Sequence, residues 1–142
     1  MITVFTSTFN RGYKLPELYK SLQKQTYKNF EWLIIDDGST DNTEHLFNKW
    51  GNETNFFRIT YIKQKNGGKH RAINKGVQLA KGELFFIVDS DDFLASFALQ
   101  RIQEVYETIS ENELFAGVSG MKAYPDNKRV GGSLPFKQID CS

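Results

Sequence analysis

Residues 30–39 read Phe-Glu-Trp-Leu-Ile-Ile-Asp-Asp-Gly-Ser. Phe30–Ile35 is a nearly continuous apolar run, as expected of a strand covered on both faces. It ends abruptly at Asp36-Asp37-Gly38-Ser39. Upstream, Leu15, Leu18, Tyr19 and Leu22 recur at helical spacing, with Pro16 near the start, where a missing N–H costs nothing. Before them the β-prone run Ile2–Phe5 breaks at Thr8-Phe9-Asn10-Arg11-Gly12. Downstream, Thr40-Asp41 offers N-cap chemistry to a helix carrying Leu46, Phe47 and Trp50, and Gly51 is its expected stop.

The alternation continues. Phe57–Ile62 is a third expected strand, and Lys63–Lys69 a loop containing Asn66-Gly67-Gly68. Ala72, Ile73, Val77 and Ala80 mark a third helix, stopped by Gly82. Leu84–Val88 is a second buried-type strand and ends at Asp89-Ser90-Asp91-Asp92. A fourth helix is outlined from Phe97 to Ile109, and a last strand is expected around Leu114–Met121. From Tyr124 the chain is rich in Gly, Pro and charge, which predicts a loop or edge hairpin over 122–142. Strands alternating with helices predict an α/β fold on a mostly parallel sheet with right-handed crossovers. Ligands in such folds bind beyond the carboxyl ends of the strands. Thr6–Arg11, Asp36–Ser39 and Asp89–Asp92 each follow a strand, so all three are expected on one sheet edge.

Length and composition set the outer bounds. A chain of 142 residues is expected to be one domain, 1–142, with its core within about 1–121. At that size roughly 68–70% of the unfolded surface is buried on folding. Apolar residues make up 39% and charged residues 25%, which excludes a disordered chain. Eighteen Lys and Arg against seventeen Asp and Glu leave +1, so no global field recruits nucleic acid or an anionic membrane. No stretch reaches the ~18 apolar residues of a membrane span. A lone cysteine, Cys141, builds neither a disulfide framework nor a Cys-based metal site and suits a reducing, cytoplasmic setting. Aromatic residues at 14%, twelve of them Phe, predict a core rich in rings.

Two acidic clusters at strand ends are the sharpest chemical signal. Carboxylates grouped at a sheet edge repel one another, and a hard divalent cation relieves that repulsion. In an extended Asp89-Ser90-Asp91 the two carboxylates point to the same side. Asp92 points elsewhere, as a helix cap or a second ligand, and Asp91-Asp92 also reads simply as a turn with an N-cap. Asp37, nearer the loop tip than Asp36, is the choice for accepting a hydrogen bond from a ligand such as the N–H edge of a base. Asp36 is expected to hold its loop. Asn66–Arg71 is the basic counterpart, where Lys69 and Arg71 can meet phosphate or a base carbonyl, or simply be solvated. Neither a Walker pattern nor a Gly-x-Gly-x-x-Gly fingerprint is present.

The segments TVFTSTFNR (3–11), LQKQTYKNFEWLIIDDGSTDNT (22–43) and NGGKHRAINKGVQLAKGELFFIVDSDD (66–92) together resemble the nucleotide-binding half of family 2 glycosyltransferases, with their Rossmann-like GT-A fold. The resemblance runs from Ile2 to about Phe97. It implies a nucleoside-diphosphate-sugar donor, most often a UDP-sugar, and a divalent metal, Mn or Mg. It maps the nucleotide-lining loop onto Ser7, Thr8 and Arg11, with Ser7 where the family commonly has Pro. It maps the base-recognising carboxylate onto Asp37, the loop facing base or diphosphate onto Lys69, and the Asp-x-Asp motif onto Asp89-Ser90-Asp91. In that motif Asp89 lies on the ribose side and Asp91 at the metal, with Asp92 a further metal candidate. Asn74, Gly76, Ala80 and Gly82 match positions of structural use. The family is inverting, and its general base is a carboxylate in the acceptor half. Only fifty residues follow Asp92 and none forms a matching acidic motif, so the acceptor half is expected to be missing. A glycan or lipid-linked acceptor is implied, and a truncated sheet points to self-association. The alternative is a module that binds nucleotide or nucleotide-sugar without turnover. A phosphoacceptor receiver domain fits poorly, because its acidic pair should follow the first strand. A dinucleotide oxidoreductase lacks its glycine fingerprint.

Overall fold

The computed structural model describes residues 1–109 and Lys128. The chain divides into two compact units, Met1–Gln100 and Arg101–Ser142. The first contains every residue assigned above to a site. The expected strand around Leu114–Met121 and the tail over 122–142 lie outside the described residues.

The elements alternate as the sequence predicts: β1 (Ile2–Thr8), α1 (Leu15–Gln23), β2 (Phe30–Asp36), α2 (Thr43–Gly51), β3 (Arg58–Lys63), α3 (Lys69–Leu79), β4 (Leu84–Ile87) and α4 (Ala98–Glu107). The four strands form one sheet in the order β3-β2-β1-β4, and every pairing is parallel. This is the Rossmann-like α/β architecture expected. All four carboxyl ends therefore fall on the same edge.

Boundaries shift for physical reasons. β1 runs on past Phe5, because Ser7 pairs with Ile35 and Thr8 with Asp36. Ser7 and Thr8 are thus strand residues, not loop residues. α2 starts at Thr43, later than Thr40-Asp41 suggested. The Asp41 carboxylate still does capping work, accepting from the Thr43 N–H at 3.1 Å, but its other oxygen accepts from Gly12 N–H at 2.9 Å. α3 ends at Leu79, before Gly82. β4 is only partly buried, with Ile87 44% exposed, because it stands at the end of the described sheet.

β2 is buried at every position and splits its side chains between two cores. Leu33 and Ile35 join Phe5 and Ala72 under α3. Trp32 faces the other way, against Tyr19, Phe47 and Trp50, with ring centroids 5.3–6.1 Å away. Tyr19 stacks on Trp50 at 4.4 Å and Phe47 on Tyr61 at 4.8 Å, so much of the aromatic content is one continuous cluster. Such pairs contribute about 0.5–1.5 kcal/mol each beyond the area they bury. α3 approaches the sheet closely at Gly76, where a Cβ would lie 2.3 Å from the Phe5 ring.

One apolar-looking strand carries a buried acid. Glu31 Oε1 accepts from Thr3 Oγ1 and from the Lys81 N–H, both at 2.8 Å, while Gly82 N–H donates to Thr3 Oγ1 at 2.8 Å. The turn into β4 is thereby pinned to β1 and β2. Beyond β4, buried Gln25 holds residues 95–99: its amide donates to Ala95 O at 2.8 Å and accepts from Leu99 N–H at 3.1 Å. The segment carrying Asp89–Asp92 is therefore anchored at both ends.

Candidate functional site

Backbone bonds chain the strand ends together. Asp37 N–H donates to Thr8 O at 2.8 Å, Gln64 N–H to Asp36 O at 2.8 Å and Val88 N–H to Phe5 O at 2.9 Å. Over this edge lies a cleft of about 400 Å³. β1 and the residues after it supply Ser7, Thr8 and Arg11; the loop after β2 supplies Asp37. α3 supplies Lys69, and the turn after β4 supplies Asp89, Ser90 and Asp91. Segments as far apart in sequence as Ser7 and Asp91 thus meet in one concavity. Asp92 does not line it; its N–H donates to Asp89 O at 3.0 Å, closing the turn that aims Asp89 and Asp91.

Charges alternate across the cleft. Lys69 Nζ lies 2.6 Å from Asp89 Oδ1, and Arg11 lies 4.0 Å from Asp91 Oδ2. All four side chains are more than a third exposed, so these pairs are weakly stabilising and exchange readily for a ligand. Among the described residues no group of three or more His, Cys, Asp or Glu is arranged to hold a metal. Asp89 and Asp91 in one cleft nonetheless suit Mg²⁺ or Mn²⁺, since Mg²⁺ takes one or two protein carboxylates and completes its shell with water and phosphate.

The two aspartates after β2 have separate tasks. Asp36 is fully buried; Oδ1 accepts from Ser39 N–H at 2.8 Å and Oδ2 from the Tyr61 hydroxyl. It holds the loop, as expected. Burial, then the bond to Asp36, pushes the Tyr61 hydroxyl pKa well above the ordinary phenol value. Asp37 is 6% exposed, and both its oxygens face protein donors. Oδ1 accepts from Gln64 Nε2 at 2.8 Å and Gly67 N–H at 2.9 Å, and Oδ2 from Gly68 N–H at 2.7 Å. Burial alone would raise its pKa, but those hydrogen bonds outweigh it and hold the carboxyl below the ordinary value. The Gly67 and Gly68 amides are thus turned to Asp37. Gly68, at φ +91°, makes the reversal into α3.

Several contributors escape sequence reading. Asn10 sits at φ +52°, its N–H donating to Ser39 Oγ at 2.9 Å and its Oδ1 accepting from Thr40 N–H at 2.8 Å. It ties the turn carrying Arg11 to the loop carrying Asp37. The tolerance of Asn for left-handed backbone is the signal that could have found it. Phe9, 48% exposed, lines the cleft, and nothing in the spacing marks it. Thr8 Oγ1 is buried with no hydrogen-bond partner among the described residues.

Known proteins place the chain. The model for glycosyl transferase family 2 matches residues 3–133. The glycosyltransferase GlyG of Streptococcus pneumoniae is 35% identical over 113 residues, covering 80% of this chain and 36% of the relative. The crystal structure of S. aureus TarS (1–349) with UDP-GlcNAc superposes with a TM-score of 0.69 at 30% identity, over 75% of this chain and 31% of that one. The mannosyltransferase PcManGT from Pyrobaculum calidifontis, solved with GDP-Man and Mn²⁺, gives 0.63 at 26% identity, over 67% of this chain and 29% of its own. The chain spans about a third of the length of these relatives. Its parallel sheet and the match along nearly all its length make it a member of glycosyl transferase family 2.

Proposed function

We propose that this chain is the donor-binding part of an inverting, metal-dependent glycosyltransferase that takes a nucleoside-diphosphate sugar, a UDP-sugar in first place. The observation that carries the reading is the interleaving of Arg11 and Lys69 with Asp89 and Asp91 in one cleft at the carboxyl ends of parallel strands. Cations alone would suit any anion, and carboxylates alone any cation. Alternating them suits a metal–diphosphate pair. The UDP-GlcNAc held by TarS and the GDP-Man with Mn²⁺ held by PcManGT support a donor of this class.

In this reading Phe9 offers a ring face to the base, and Asp37 keeps one of its roughly four lone-pair sites for a base N–H. Ser7 and Thr8 wall the nucleoside, Asp89 and Ser90 face the ribose, and Lys69 and Arg11 turn to the diphosphate. Asp91 holds the metal, with Asp92 the alternative ligand. A bound divalent cation supplies charge neutralisation at the leaving diphosphate. Sugar transfer builds positive character at the anomeric carbon as the C–O bond to the diphosphate breaks, and an acceptor hydroxyl of a glycan or lipid-linked sugar attacks from the opposite face. The base that takes its proton belongs to the acceptor half.

A second reading is a module that binds nucleotide or nucleotide-sugar without turnover. Metal-dependent sugar release by the chain itself would exclude it. No helix among the described residues is long and apolar enough to cross a membrane. With its single cysteine, the reading takes a reducing, cytoplasmic compartment.

The test is calorimetric titration of UDP with Mn²⁺ and again with EDTA. Binding is expected with the metal alone, and Asp91→Ala should abolish that dependence. Metal-dependent binding retained in Asp91→Ala moves the metal to Asp92. A folded chain that binds UDP, GDP and dTDP in neither buffer overturns the donor-site reading.

A further inference from the structure

We propose that Asp37 is a positioning residue for Lys69: its carboxylate latches the Gly67-Gly68 turn, and the latched turn sets the lysine over the diphosphate end of the cleft. The proposal rests on the nucleotide-sugar reading above and adds to it a route by which the base end and the phosphate end are coupled.

The geometry is specific. Two successive backbone amides, Gly67 and Gly68, donate to different oxygens of one carboxylate at 2.9 and 2.7 Å, and Gln64 Nε2 adds a third bond at 2.8 Å. Charge-assisted bonds of this kind are roughly twice as strong as neutral ones. Asp37 is itself fixed, since its N–H is bound to Thr8 O in the sheet edge. Lys69 follows Gly68 directly as the first residue of α3, and the Gly68 N-cap has no side-chain cap of its own. The start of α3 thus takes its position from Asp37, with Arg71 N–H closing the first turn onto Gly68 O at 3.0 Å. Two glycines in a row are otherwise the least restrained segment a chain can place before a functional lysine. Spending three hydrogen bonds there removes that freedom before the ligand arrives, which is preorganisation.

Inorganic pyrophosphate separates this role from base contact, because it carries no base. It is titrated with Mn²⁺, alongside UDP, into the wild-type chain, Asp37→Asn, Lys69→Ala and the double variant. Asparagine keeps the shape but turns an NH₂ toward a backbone N–H, so the latch opens. Pyrophosphate affinity is expected to fall about fivefold in Asp37→Asn, and the double variant to bind no more weakly than Lys69→Ala. Loss of a negative charge near an anion would by itself tighten binding, so the sign is decisive. Unchanged or tighter pyrophosphate binding in Asp37→Asn, or additive losses in the double variant, overturns the proposal. If Asp37→Asn does not fold, Gln64→Ala, an uncharged change outside the cleft lining, should still lower pyrophosphate affinity about twofold only while Lys69 is present; no loss overturns the proposal. Amide hydrogen exchange at Gly67 and Gly68 in the ligand-free chain reads the latch without any nucleotide. Faster exchange in Asp37→Asn is expected, and unchanged exchange refutes the latch. A wild-type chain that binds neither UDP nor pyrophosphate while exchange behaves as expected refutes the nucleotide reading instead, and with it the task given to Lys69.

Discussion

Replacing Thr8 with valine should stabilise this protein and loosen its hold on a nucleotide. Thr8 ends β1, is 3% exposed, and its Oγ1 is buried with no hydrogen-bond partner among the described residues. A buried, unsatisfied hydroxyl costs about 1–3 kcal/mol, whereas an apolar group of the same shape costs nothing comparable. Valine has that shape, keeps the β-branch and suits a strand. The gain is taken at the low end, about 1 kcal/mol, which for a chain of this size raises Tm by roughly 3–6 °C. An unpaired polar group in so favourable a place for valine is expected where function needs it. In the proposed donor-site reading, the hydroxyl turned about χ1 toward the cleft that Thr8 walls would meet the nucleoside, and one hydrogen bond of about 1 kcal/mol is worth roughly fivefold in Kd. Circular dichroism melting and urea midpoints read the first effect, and UDP calorimetry with Mn²⁺ reads the second. A variant no more stable than the wild type refutes the orphan argument, because the hydroxyl must then have a partner. A more stable variant with unchanged UDP affinity refutes the contact with ligand and leaves the packing argument intact.

Gly76→Ala should destabilise the fold although alanine favours helix by about 1 kcal/mol. The new Cβ would meet the ring of Phe5, fully buried and stacked on Phe85 at 5.0 Å, so overpacking of about 1–3 kcal/mol prevails; a urea midpoint at or above the wild-type value would refute the close approach. Acid should weaken the chain through Asp37 and Asp41. In both, burial raises the pKa but is outweighed by hydrogen bonds, from Gln64, Gly68 and Gly67 in one and from Thr43 and Gly12 in the other. Native values below the unfolded one mean stability that is full above about pH 4 and lost as pH falls through the native values. Asp41→Asn should therefore be less stable at pH 7 and lose less on acidification, as urea midpoints at pH 7 and pH 3 would show. Alkali acts from the other side: the raised Tyr61 pKa is stability present below about pH 10 and lost above it, and Tyr61→Phe should flatten that limb.

Much of this molecule is local chemistry and so is readable along the chain. The apolar run Phe30–Ile35, the helical spacing of Leu15, Leu18 and Leu22, and the acidic turns after two strands each depend on near neighbours. Together with the parallel-sheet rule they place Ser7, Thr8, Arg11, Asp37, Asp89, Ser90 and Asp91 on one edge, the family resemblance adds Lys69, and all of them line the cleft described above. Gly76 and Gly82 also have the structural use assigned to them, since a Cβ at either would run into β1. What the linear order could not yield is the direction of hydrogen bonds between segments. Glu31 in an apolar run reads as a blemish until Thr3 and the Lys81 amide close around it. Gly67 and Gly68 read only as part of a loop before a helix until Asp37, thirty residues earlier, takes both their amides. Asp92 reads as either a helix cap or a second ligand, and the structure shows its N–H closing the turn onto Asp89 O, outside the cleft lining. Residue type states what a side chain can accept or donate. Which donor reaches it is settled only when the sheet register and the helix approach bring distant segments within about 3 Å, the range in which a hydrogen bond exists at all.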